Sequence, residues 1–232
     1  MNTRTVVLSL ILLLFHAMLP AAEPPAEAEH FSPANTLLFR SNHLAKLTAP
    51  ARVIYDFRKT GSLEEGFSDS VEVALIEAQP EDAKRIEVTF FTGERARPVP
   101  EMTVAEGNPI VVLFLQREVN ELGRLSGGSW RHFQKQIKLA LENEAEVRPV
   151  TVALHGEAVP ATRITITPYH DDPQRRQFEA FAETHYEFTL SEEVPGFVYE
   201  MRAVTPGNAG NPAQAEGEPL RDEALTFRRL AG

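Results

Sequence analysis

Cysteine is missing from all 232 residues. Its absence removes disulfide scaffolds, thiol nucleophiles, Cys-ligated zinc, Fe–S clusters and a lipidated N-terminal Cys. Positive charge is in the minority, with 23 Lys and Arg against 33 Asp and Glu and a formal net charge of −10. A chain that grips phosphate backbones carries a clustered positive field, so nucleic acid and anionic lipid surfaces are poor partners here. Phosphate-cradling loops are also missing: there is neither G-x-x-x-x-G-K-[ST] nor G-x-G-x-x-G. H-E-x-x-H is absent, and His132 has Gln136 rather than a second His one turn on. Gly127-Gly128-Ser129-Trp130-Arg131 lacks the last Gly of a nucleophile elbow, so Ser129 reads as a helix cap.

Long apolar runs are scarce too. The exception, Val6 to Leu19, is broken by Ser9 and His16, preceded by Arg4 and followed by Pro20-Ala21-Ala22. That is the pattern of a secretory signal peptide over residues 1–22. Cleavage is expected after Ala22, with Ala26-Glu27-Ala28 as the alternative. The run is short for a span of roughly 20 residues, so no stable membrane anchor is expected after cleavage. A signal peptide without cysteine points to the periplasm, because small domains on a eukaryotic secretory route usually carry disulfides.

What remains is ordinary for a globular protein: 43% hydrophobic and 24% charged. Residues 23–33, rich in Pro, Glu and Ala, read as a flexible lead-in. Residues 34–205 have the length of a single domain. Residues 206–232 hold four Gly and three Pro and read as a mostly disordered tail, in which Leu225 to Leu230 has the content of a short strand or helix.

Period-2 alternation dominates the body. Val53, Tyr55 and Phe57 share a face, as do Val71, Val73 and Leu75, and Ile86, Val88 and Phe90. Later come Val150, Val152 and Leu154, then Ile164 and Ile166, then Tyr186, Phe188 and Leu190, and finally Phe197, Tyr199, Met201 and Ala203. One apolar and one polar face is the signature of an antiparallel sheet wet on one side. In the middle, Asn108-Pro109 looks like an N-cap with Pro at the first helical position. Val112, Leu115, Val119 and Leu122 then recur at helical spacing, although Ile110 to Leu115 alternatively reads as a buried strand. After Ser126-Gly127-Gly128, a second helix carries Trp130, Phe133, Ile137 and Leu141. The predicted fold is α+β: a curved antiparallel sheet of about seven strands, with a helical hairpin inserted in the middle and covering its concave face. Tyr55, Phe57, Phe90, Tyr186, Phe188 and Tyr199 from the sheet, with Trp130 and Phe133 from the helices, are the candidates for an apolar cavity or a packed core between the layers.

Strand geometry limits which histidines can share a metal. If the strands around Gly156–Pro160 form a hairpin, His155 and His170 lie roughly 25–30 Å apart, which excludes a three-histidine site. His170, Asp171 and His185, with Asp172, remain weak candidates on one edge. Asp172-Pro173 is better explained as a turn whose Asp caps a short helix over 174–182, so neither metal nor cofactor is expected. Glu192-Glu193 reads as an exposed acidic turn, and no acid–base pair is singled out.

Strands, two covering helices and more strands behind a signal peptide resemble the lipoprotein-carrier superfamily, the LolA/LolB-like half-barrels that include RseB-like sensor domains. The likeness is one of element order over roughly Arg52 to Thr205 and transfers no functional residue. Asn108 to Leu115 and Ser191 to Gly196 also resemble an uncharacterised exported bacterial family. The half-barrel resemblance implies an apolar cavity for acyl chains or another hydrophobic molecule. The leading expectation is therefore a non-enzymatic periplasmic binding or carrier protein for a lipid or hydrophobic small molecule. The alternatives are a solid-core protein that works with an envelope protein partner and, third, a metal-assisted hydrolase using His170, Asp171 and His185.

Overall fold

The computed structural model describes residues 31–80, 83–97, 99–207 and 217–232. The expected signal peptide and most of the expected lead-in lie outside the described residues. A short helix α1 (Pro33–Asn35) continues as one π-helical turn over Thr36–Arg40. Strands β1 (Ala51–Thr60), β2 (Phe67–Ala78), β3 (Lys84–Phe90) and β4 (Met102–Val104) lead to helices α2 (Pro109–Ser126) and α3 (Trp130–Asn143). Strands β5 (Glu146–Leu154), β6 (Glu157–Ile166), β7 (His185–Leu190), β8 (Val198–Thr205) and β9 (Arg221–Ala231) follow, with a 3₁₀ stretch over Arg175–Phe181 between β6 and β7. The nine strands form one antiparallel sheet in the order β4-β3-β2-β1-β9-β8-β7-β6-β5. The fold is α+β with the helical hairpin at the middle of the chain.

The sheet holds two strands more than the alternation predicts. β4 has three residues, too few to show a period. β9 corrects the expectation of a mostly disordered tail: residues 221–231 sit at the centre of the sheet, hydrogen-bonded to β1 on one side and β8 on the other. Arg221, Glu223, Leu225 and Phe227 point inward there, and two of those four are charged, which hides the alternation. The approach is close at the β1–β2 turn, where φ is +130° at Gly61 and any Cβ would meet the Leu220 carbonyl oxygen at 2.4 Å. Among the described residues, Ser32 caps Asn35 and Pro33 is helical, so the last two residues of the predicted lead-in are part of a helix start.

The sheet curls. The Tyr199 hydroxyl on β8 donates to the Ala153 carbonyl on β5 at 3.3 Å, across the two intervening strands. At about 4.8 Å per strand, one tyrosine does not span that gap in a flat sheet. The β5–β6 hairpin is tighter than predicted, with Leu154 paired to Glu157 around His155-Gly156, both at positive φ, so Pro160 lies within β6.

Helix α2 begins as predicted: the Asn108 side chain accepts from the Ile110 N–H, and Pro109 occupies the first turn. Gly127 ends the helix at φ 71°. Its buried face differs from the predicted stripe, because Ile110, Val111, Phe114, Glu118, Val119 and Leu122 are buried while Val112 is 56% exposed. A glutamate in the centre of the core face shifts the apparent apolar stripe around the helix. On α3, Phe133, Ile137 and Leu141 are buried as predicted, with Ala140 beside them. Ser129 has extended backbone but makes no side-chain cap bond, and Trp130 is 37% exposed with the Arg131 guanidinium 4.5 Å from its ring. Trp130 is thus a correction to the expected helix–sheet seam: it sits at the first turn, beside Gly123 of α2. Among the described residues no helix is long and apolar enough to cross a membrane.

Candidate binding cleft

Beneath α3 the aromatics pack solidly. Phe133 meets Tyr169 and Phe178 at ring-centroid distances of 5.4 and 5.2 Å, and the Tyr169 and Tyr186 hydroxyls are 3.2 Å apart. Burial raises both phenols above their ordinary range. Phe188 is equally buried. Tyr55 is also enclosed and accepts a 3.1 Å hydrogen bond from the Asn108 amide, which also donates to the Gly196 carbonyl. These side chains form core.

An open cleft of about 970 Å³ lies instead between α2 and the β1–β3 end of the sheet. Its aromatic side is made by Phe67, Phe90 and Phe91, with Val99 and Leu113. Successive residues in a strand point to opposite faces, so Phe90 and Phe91 ordinarily diverge. Here Phe91 adopts φ 69°, a left-handed conformation that costs a bulky residue about 1–3 kcal/mol. The result is that both rings, 4.7 Å apart, face the same cleft. Phe57 stands behind them, 4.7 Å from Phe91 and 5.4 Å from Phe67.

The other wall is a ladder of charges that runs from the core to the surface. Arg221 Nη2 donates to both Glu118 carboxylate oxygens at 2.7 Å, and Nε donates to Glu223 at 3.0 Å. Glu223 lies 3.1 Å from Arg117 and 3.7 Å from Lys59. Lys59 reaches Glu64 at 2.7 Å, and Arg124 joins Glu64 and Glu121, each at 2.7 Å. Arg221, Glu118 and Glu223 are wholly buried. Burial holds Glu118 above the usual carboxylate range, against the opposing charge of Arg221. Desolvation lowers Arg221, but Glu118 and Glu223 outweigh it and keep the guanidinium charged. At the mouth, hydrogen bonds from Arg124 and Lys59 pull Glu64 down to about 2. Burial works to raise Glu121, and its bond to Arg124 with the charge of Arg117 overcomes that and lowers it.

Of the eight aromatics predicted for a cavity, Phe90 lines this cleft and Phe57 backs it. Trp130 and Tyr199 lie outside it. A register shift between Thr189 and Leu190 makes Val198 the buried residue of its turn and leaves Tyr199 half-buried. Of the weak metal candidates, His170 has Nδ1 2.8 Å from Glu183 and Nε2 3.9 Å from Asp171, whose side chain is 97% exposed, and His185 opens β7 opposite Val204. Glu183 raises the His170 pKa. Asp172 does not cap a helix as predicted: the following 3₁₀ stretch begins at Arg175 and its N-cap, Gln174, makes no side-chain cap bond. Asp172 instead closes an Asx turn by accepting from the Gln174 N–H at 2.7 Å, and its other oxygen is 2.6 Å from His132 Nε2, which clips α3 to the turn. Among the described residues no group of three or more His, Asp or Glu is placed to hold a metal ion. Phe67, Phe91, Arg95, Arg97, Arg117 and Arg124 are the cleft residues that periodicity does not point to.

No protein-family model matches the chain, and no curated protein matches it. Among solved structures, the lipoprotein LppX of Mycobacterium tuberculosis overlaps 82% of this chain and 91% of its own, with 13% sequence identity and a TM-score of 0.35. No residue or role is carried over from it.

Proposed function

We propose that the protein is a non-enzymatic periplasmic binding or carrier protein that takes a hydrophobic ligand in the cleft between α2 and the β1–β3 end of the sheet. The observation that carries this reading is the aromatic floor, on which two consecutive phenylalanines are turned to one side by a strained backbone at Phe91. The cleft volume, about 970 Å³, is in the range of small-molecule sites. Export to the periplasm rests on the signal-peptide pattern, and the half-barrel resemblance in element order agrees with a carrier.

The carboxylates of the cleft support binding over catalysis. Glu64 and Glu121 are both held ionised by Arg124 and its neighbours, and a carboxylate with a lowered pKa is a poor proton acceptor near neutrality. The test is a titration with dodecanol, followed by calorimetry, on the wild type and on Phe91→Asp. Saturable binding at one site, lost in the variant while its melting transition remains cooperative, supports the reading. Absence of saturable binding, or binding that survives Phe91→Asp, overturns it.

A further inference from the structure

Most of the charge around the cleft is internally balanced. The ladder sets four cations, Arg221, Lys59, Arg117 and Arg124, against Glu118, Glu223, Glu64 and Glu121. Two further guanidiniums line the cleft outside that ladder. Arg95 and Arg97 lie on the turn that follows Phe91, and neither forms a salt bridge among the described residues. Of the cations that line the cleft, Lys59, Arg117 and Arg124 are paired with glutamates, and among the described residues Arg95 and Arg97 are the two that are not.

Both are held in place. Arg95 stacks on Phe67, with its guanidinium carbon 4.6 Å from the ring centroid. Arg97 donates through Nη1 to the carbonyls of Glu94, Arg95 and Ala96 at 3.4, 3.2 and 3.0 Å, which fixes the group and leaves Nη2 outside those bonds. The nearby acid Asp69 is already committed to the Ser70 N–H and to the N–H and hydroxyl of Thr92. Glu65 is the remaining acid of the lining. A planar guanidinium matches a carboxylate with paired N–H donors, and fixing it beforehand cuts the entropy lost on binding.

We propose that the cleft selects a single-chain amphiphile with a carboxylate head, the chain lying on Phe67, Phe90 and Phe91 and the head held by Arg95 and Arg97. This rests on the reading of the cleft as a hydrophobic-ligand site. The overall negative charge opposes docking on an anionic bilayer, so the species recognised is a free long-chain carboxylate.

Calorimetric titrations with dodecanoate, dodecanol, dodecyltrimethylammonium and acetate, all below micelle formation, test it. Dodecanoate is expected to bind about 10–100-fold more tightly than dodecanol, the worth of one or two charge-assisted hydrogen bonds, with a preference that shrinks as salt rises. Dodecyltrimethylammonium is expected to bind more weakly than dodecanol, and acetate not measurably. In Arg95→Gln/Arg97→Gln the dodecanoate preference over dodecanol, both read on the same variant, should fall to within about threefold. Glu65→Gln should tighten dodecanoate and leave dodecanol alone. If the double variant does not fold, Arg95→Gln decides, since that side chain makes no hydrogen bond to the backbone. Equal binding of dodecanoate and dodecanol, or a preference that survives removal of the arginines, overturns the head-group assignment and leaves the hydrophobic cleft standing. Failure of every long-chain ligand overturns both.

Discussion

Beneath α3, Phe133, Tyr169 and Phe178 meet edge to face at 5.2–6.0 Å and exclude solvent. Beside α2, Phe57, Phe67, Phe90 and Phe91 approach each other at similar distances, 4.7–5.5 Å, and Phe57, Phe90 and Phe91 are as buried as Phe178, yet their outer edges line or back an open cleft. The two flanks of the sheet differ in their cover more than in their aromatics. α3 turns Phe133, Ile137, Ala140 and Leu141 onto its half. α2 buries Ile110, Val111, Phe114, Val119 and Leu122 but also places Glu118 on its core face and Arg117, Glu121 and Arg124 along the cleft, so its cover mixes ions with hydrocarbon. Aromatic content alone therefore does not tell a core from a site; the facing helix decides.

Four measurements break or sharpen this contrast. Phe133→Ala removes a ring from the packed flank and should cost about 3–5 kcal/mol in urea denaturation, with dodecanol binding retained in whatever fraction folds. A cost under about 1 kcal/mol would show the packed flank to be loose. Arg221→Met should also cost about 3–5 kcal/mol, because it strands two buried carboxylates. Here pH supplies a signature. Without Arg221 the pKa of Glu118, already held by burial above the unfolded value of about 4.3, rises further, so the penalty is full near neutrality and shrinks as pH falls toward the unfolded value. A pH-independent cost would mean the ladder is not where the energy lies.

Trp130→Ala should cost about 1 kcal/mol, far below a core aromatic, and the native emission of this single tryptophan should be close to that of a solvated indole. A blue-shifted emission would place Trp130 in the packed flank after all. The smallest effect belongs to the mouth of the cleft. Glu64→Gln should cost about 0.2–1 kcal/mol above pH 5, the worth of a surface ion pair. Glu64 has a folded pKa of about 2, below the unfolded value of about 4.3, so its contribution is present above that value and fades as pH drops through the folded one. Stability curves of wild type and variant should converge near pH 2.

Much of the packed flank was legible in the sequence. Ile164, Tyr186, Phe188, Phe133 and Ile137 alternate or recur at the periods their elements need, and Asn108-Pro109 announces α2. The cleft was less visible, because each of its features departs from periodicity. Glu118 interrupts the apolar stripe of α2 and moved the predicted face toward Val112 and Leu115. Arg221 and Glu223 fill inward positions of β9 with charges that only a partner on another element can satisfy, so the strand read as a polar tail. Phe91 breaks the strand alternation through backbone conformation, which no residue count records. Phe90-Phe91 ahead of Thr92-Gly93, with Arg95 and Arg97 two residues apart, is the local signal that was there to use.

The position of β9 also bears on how the molecule comes together in time. β1 through β4 and β5 through β8 are each contiguous in the chain, and β9 alone joins them; Asp56 and Arg228, in contact across that junction, are 172 residues apart. Pairing at such separation carries a large loop-closure entropy and makes folding slow. Until residues 221–231 arrive, the nascent molecule consists of two ribbons whose edges at β1 and β8 stay unpaired, ready to accept any extended peptide. β9 is then the keystone of the sheet, and shielding the β1 and β8 edges until it pairs falls to whatever escorts the chain.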